Sequence, residues 1–127
     1  MVMENLNFLP ILVGGIAYMV YGGIYYSIML SNKSELKSGQ TEGPFKYIYS
    51  VILAFVCSFL VAILVQATSS NQITEGIFIG LIIGLLISLV YIKNMLFGLI
   101  SKKACVIAIG DHLIIFTLLG AIHGFLQ

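Results

Sequence analysis

The chain has 127 residues, 60% hydrophobic and only 9% charged, with a net charge of +1 and a mean hydropathy of +1.09. A water-soluble domain carries about 25% charged residues, so this chain cannot cover itself with polar surface and lipid must solvate most of it. The small net charge leaves no electrostatic footprint for nucleic acid, and Cys57 and Cys105 have neither CxxC nor zinc-ligand spacing.

A hydrocarbon core about 30 Å thick takes about 20 apolar residues as helix. Four segments meet that length: 8–30, 47–67, 73–97 and 104–126. In lipid the backbone must be satisfied internally, which leaves helices or a closed barrel. Alternation at period two is absent and four strands cannot close a barrel. The expected fold is all-α, a single domain over 1–127: an integral membrane up-and-down bundle of four transmembrane helices.

The N-terminal stretch carries Glu4 where a secretory signal would be basic. Its apolar run is also too long for a signal-peptide core, so it is expected to be a retained helix. That first span, "GGIAYMVYGGIYYS", mixes glycine with tyrosine. At about 100° per residue, Gly14, Tyr18, Tyr21, Gly22 and Tyr25 share one arc. Tyr25 and Tyr26 fall where an interfacial aromatic belt is expected. Tyr18 and Tyr21 lie deeper, and a buried hydroxyl needs a partner, so these two are expected to face protein. Aromatics packing on glycines and a ligand-binding stripe both fit.

The connection 31–46 is polar, with a break at Gly43-Pro44. The second span offers Ala54, Ser58 and Ala62 as a small-residue face, and the connection 68–72 is short and uncharged. The third span repeats small residues at every fourth position, Gly76, Gly80, Gly84 and Ser88, the pattern that lets helix backbones approach in lipid. The fourth adds Gly120 and Gly124. These six are the expected helix-packing residues, and the third-span ridge is also expected to offer a surface to a second copy, making a homo-oligomer.

All six positive charges are lysines, and all lie at the first and third connections: Lys33, Lys37 and Lys46, then Lys93, Lys102 and Lys103. Basic loops stay cytoplasmic. Loops 31–46 and 98–103 are therefore expected in the cytosol and both termini outside a cell membrane. Lys93 is expected to snorkel to the headgroups.

The fourth span raises the functional question, because "GDHLIIFTLLGAIHG" (110–124) sets an acid and two imidazoles in apolar sequence. At about 1.5 Å rise per residue, Asp111 lies roughly 12 Å from the inner boundary, and Tyr21, Cys57 and Ser88 roughly 13–15 Å. An ionised Asp at the bilayer centre costs about 2.5–3.5 kcal/mol on insertion scales. Asp111 must therefore be protonated, paired or reached by water. His112 points about 100° away from it, so the two need not pair. His123 shares the His112 face but lies about 16 Å along the axis, too far for a common metal ion. It is expected near the outer interface. Cys57 and Cys105 differ in depth by about 10 Å or more, which argues against an intrachain disulfide.

Two readings follow for an intramembrane polar site of Asp111, His112, Tyr18 and Tyr21. The side chains either bond across helices, with Tyr21 or Tyr18 meeting the acid, and set the register of the bundle. Or they line a path for a proton, ion or small solute, as intramembrane ionisable groups commonly do.

Two stretches also resemble a known family. "GGIYYS" at 22–27 and "GDHLIIFTLLGAIHG" at 110–124, with the length and four spans, are similar to the small bacterial membrane family called domain of unknown function seventeen-sixty-one. In that pattern the first helix closes with Gly-x-Trp-Tyr-Ser, and the last carries Gly-Tyr-His followed by Gly-Ala-Ile-x-Gly. The positions that match are Gly23, Tyr26 and Ser27, then Gly110 and His112, then Gly120, Ala121, Ile122 and Gly124. Tyr25 stands in place of Trp and Asp111 in place of an aromatic, so the acid belongs to this chain and His112 is the better candidate for what members share. The resemblance implies a single four-helix domain in a bacterial membrane and no reaction.

The expected activity is an oligomeric permeation or transport module for a small solute, ion or proton. The alternative is a non-enzymatic scaffold or accessory subunit that binds another membrane protein or lipid through its glycine faces. No hydrolase triad, H-E-x-x-H or pair of acids at useful spacing appears. No enzyme activity, metal or cofactor is therefore expected, and the constant partner is the lipid bilayer.

Overall fold

A computed structural model describes residues 7–30, 43–69 and 72–126. Glu4, Lys33, Lys37 and residues 70–71 of the second connection lie outside the described residues. Every regular element among those described is a helix: α1 Phe8–Leu30, α2 Phe45–Ala67, α3 Ile73–Leu96 and α4 Lys102–Leu126. Each is long and apolar enough to cross a membrane.

Two helices begin one half-turn earlier than hydropathy placed them, at Phe45 rather than 47 and at Lys102 rather than 104. Hydropathy marks where lipid begins, whereas caps mark where a helix begins. Ser101 caps α4: its hydroxyl accepts from the Ala104 amide at 3.1 Å, and its carbonyl accepts from Cys105 at 2.9 Å. Asn7 does the same for α1, accepting from the Leu9 amide at 3.1 Å. Pro44 opens α2 with its carbonyl taking the amides of Tyr47 and Ile48. The third span stops at Leu96, not 97. There Leu99 donates to the Asn94 carbonyl at 2.9 Å and Gly98 to Met95 at 3.0 Å, the paired bonds of a Schellman stop. That stop needs a left-handed residue, and Gly98 supplies it with φ +81°.

The closest packing joins α3 to α4, which run antiparallel. Gly76 lies on Gly120 and Gly124, Gly80 on Phe116 and Thr117, and Gly84 on His112 and Leu113. A methyl group on Gly80 would land on the Phe116 carbonyl oxygen, a backbone atom that cannot step aside. Lipid tails are as apolar as leucine, so helices gain little from burying apolar surface against each other. They gain from dispersion at close backbone approach, which only glycine permits here. The α3 ridge is therefore filled by α4 of the same chain. It is not open to a second copy, contrary to the expectation above, because the short α3–α4 turn puts a matching glycine face within reach first.

On its other side α4 meets α1 and α2. Gly14 of α1 sits against Ser58, Leu119 and His123, and Gly15 sits under the Phe55 ring. Val61, Val65, Ile115, Phe116 and Leu119 form the dry core, with Tyr18, Tyr21, Cys57 and isoleucines of α3 packed on it. Helix α4 thus touches all three others. Large apolar side chains such as Phe78, Leu89 and Phe97 are exposed, as faces against lipid must be and as a water-soluble monomer seldom allows.

Candidate functional site

Two places on α4 hold a buried ionisable side chain bonded to another helix. The first surrounds Asp111, which is buried, with 4% of its surface exposed. The carboxylate oxygen Oδ2 accepts a hydrogen bond from the Tyr26 hydroxyl. Tyr21 donates toward the Asp111 backbone carbonyl at 3.4 Å, and Tyr25 donates to the Ile107 carbonyl at 2.7 Å. Because α1 and α4 are antiparallel, residues 21 and 25 of one meet residues 111 and 107 of the other. Spacing four apart on both helices makes the tyrosines a ladder. Their rings support each other: Tyr21 and Tyr25 lie 5.5 Å apart, and Tyr25 meets Tyr26 edge-on at 5.6 Å.

The partner of the acid differs from the sequence expectation. Tyr26, assigned to an interfacial belt, holds the carboxylate; Tyr21, an expected partner, lies against the same residue with its hydroxyl 3.4 Å from the Asp111 carbonyl. Depth along a helix places a side chain in the bilayer but not around the bundle, and Tyr26 turns toward α4 at a level where the belt was counted. Tyr18 stands beside the Cys57 thiol, within electrostatic reach of Asp111, Tyr21 and Tyr91. Ser88, at the same level, spends its hydroxyl on the Gly84 carbonyl of its own helix at 2.7 Å, a common intrahelical bond for serine. It adds nothing to the site.

His112 points about 100° away from Asp111, toward α3. Its Nδ1 lies 2.6 Å from the Ala108 carbonyl. A carbonyl can only accept, so Nδ1 carries the proton. The ring sits between Tyr91 of α3, 5.2 Å away, and Phe116, stacked at 6.2 Å. The structure therefore brings Tyr21 and Asp111 together and places His112 on the α3 side of the same helix.

The second place was not recognised as a site in the sequence. His123, close to the end of α4 at Leu126, is fully buried against the other helices, and so is Ser58. The Ser58 hydroxyl donates to the Ile11 carbonyl at 2.8 Å, and His123 Nε2 lies 3.0 Å from Ser58 Oγ. One hydroxyl has one proton, already given to Ile11, so His123 must donate through Nε2–H. Its Nδ1 is then a bare lone pair, buried and without a hydrogen-bond partner among the described residues. The available signal was Ser58 itself, a hydroxyl on a small-residue face, which can bond its own helix or a neighbouring one.

Cys57 and Cys105 are free thiols. Among the described residues no group of three or more His, Cys, Asp or Glu side chains is placed to hold a metal ion.

The profile of the family described as "Protein of unknown function (DUF1761)" matches residues 9–124. No curated protein and no solved structure matches the chain.

Proposed function

From the geometry of a chain that belongs to the DUF1761 family, we propose a membrane protein that passes a proton, an ion or a small solute by way of Asp111. The observation that carries this is the setting of the acid. It is buried within a 25-residue apolar helix, and a tyrosine hydroxyl, not a cation, is the partner hydrogen-bonded to its carboxylate. An ionised carboxylate there is costly, and a protonated one can give its proton up whenever water or a ligand reaches it. The tyrosines that ring it are hydroxyl donors and acceptors of the kind that hand protons along. Asp111 takes the place of an aromatic in the pattern the chain resembles, so this activity is assigned to this chain.

In this reading the protein is non-enzymatic and multi-pass in a bacterial cell membrane, with loops 31–46 and 98–103 in the cytosol and both termini outside. Four helices enclose little space, so two or more copies assemble. Their contact uses lipid-facing surfaces other than the α3 ridge. A second reading, a scaffold or accessory subunit that binds a membrane protein or lipid, is favoured by one observation. Tyr21 and Tyr25 both direct their hydroxyls at α4 backbone carbonyls, which fastens α1 to α4 without requiring a ligand.

Flux separates the two. Purified protein in liposomes loaded with a pH-sensitive dye should admit protons under a potassium diffusion potential, and Asp111→Asn should reduce the rate at least about tenfold, the loss expected when an essential proton carrier is removed. Wild-type liposomes no leakier than empty ones leave the scaffold reading in place.

A further inference from the structure

Asp111 and His123 belong to one row of α4, residues 111, 115, 119 and 123, each four apart. The row spans about 18 Å of helix axis. Its ends are polar and its middle is not: Ile115 and Leu119 are fully buried, closed in by Val61, Val65 and Phe116. A hydroxyl-ringed acid, a dry apolar plug and a buried imidazole therefore follow one another along one element. An apolar layer of this kind keeps water out until the helices around it part.

At the far end of the row, His123 carries an acceptor with no donor among the described residues. Leaving a buried acceptor unsatisfied is unfavourable, and native interiors rarely do so without a reason in function or in a guest molecule. Ser58 fixes the other ring nitrogen as a donor, so the ring cannot relieve the lack by exchanging tautomers while the Ile11 bond stands. Gly14 of α1 and Ser58 of α2 lie against the ring, with Leu119 of α4 beside Gly14. Among the described residues none of these is charged or titratable, and Glu75 at the start of α3 is exposed.

We propose that His123 Nδ1 is a second proton-binding station, separated from Asp111 by the Ile115–Leu119 plug, so that a proton crossing this bundle binds at both. This rests on the reading of Asp111 given above. The step is a simple transfer. Nδ1 accepts a proton from water on its own side, the ring becomes imidazolium with Nε2–H still on Ser58, and when water enters the plug the proton passes along it to the Asp111 carboxylate, leaving the imidazole neutral. No bond to carbon changes and nothing is oxidised.

The chain has two histidines, so His112→Gln leaves His123 as the sole imidazole. In that variant, 15N-histidine magnetic resonance in lipid nanodiscs should show a bare Nδ1 that takes up a proton as the pH is lowered. A Nδ1 signal unchanged down to the lowest pH the folded protein tolerates overturns the proposal. In the liposome assay, His123→Gln keeps an N–H for Ser58 but has no titratable nitrogen, and should reduce flux at least about tenfold. Leu119→Ala should raise it by thinning the plug. Flux stopped by Asp111→Asn but within about twofold of wild type in His123→Gln sinks the second station and spares the first. No flux in wild type sinks both.

Discussion

Replacing Gly80 by leucine should separate α3 from α4 and cost about 3 kcal/mol or more, at the severe end for a single substitution. The reason is that the added atoms meet backbone. A Cβ at this position overlaps the Phe116 carbonyl and lies 3.0 Å from the Thr117 Cα. Side chains can change rotamer, but a helix carbonyl moves only if the helix does. Gly22→Leu is the matched control, since nothing lies within 4 Å of a Cβ built there, and it should change stability by no more than about 0.5 kcal/mol. Unfolding in mixed micelles, followed by loss of helical signal, compares the two. The ridge is internal to one chain, so the Gly80 variant should lose monomer stability. A Gly80→Leu protein with intact monomer stability and a smaller oligomer would return the ridge to the interface between copies.

The second large effect is expected at Ser58→Ala. Ser58 joins three helices through one hydroxyl, donating to Ile11 of α1 and accepting from His123 of α4. Alanine fills almost the same volume, so packing changes little. The His123 Nε2–H is left without an acceptor in a fully buried position, a penalty of about 1–3 kcal/mol. Unfolding midpoints of the wild type and the variant measure it, and Ser58→Thr, which restores a hydroxyl, should recover part of the loss. Equal midpoints for Ser58→Ala and wild type would mean that the imidazole finds another acceptor and that the clasp is not what orients it.

The sequence carried the fold because membrane helices are specified locally. Length and hydropathy marked four spans, and caps account for the half-turns by which α2 and α4 differ. The same locality explains what was not legible. Counting along α4 put His123 near an interface, which does not say whether it faces lipid or protein; its burial comes from Gly14 and Ser58 on two other helices. The count put Tyr26 in a belt, but its rotation toward Asp111 depends on how α1 leans on α4. The glycines of α3 announced a close contact without naming its partner, and the short α3–α4 turn decided in favour of the same chain. His112 and Asp111 were read correctly as pointing apart; that they look toward α3 and α1 respectively needed the neighbours in place.

Asp111 is the only aspartate in the chain, so aspartate carrying a 13C carboxyl reports on it alone. Infrared difference spectra of the labelled protein in lipid should show a carboxylic acid band that appears and disappears with pH. Tyr26→Phe should shift the band, because the hydroxyl on Oδ2 is lost, and Asp111→Asn should abolish it. A labelled carboxyl that keeps one protonation state at every pH the folded protein tolerates would contradict the account, leaving Asp111 a fastener between helices and not a carrier.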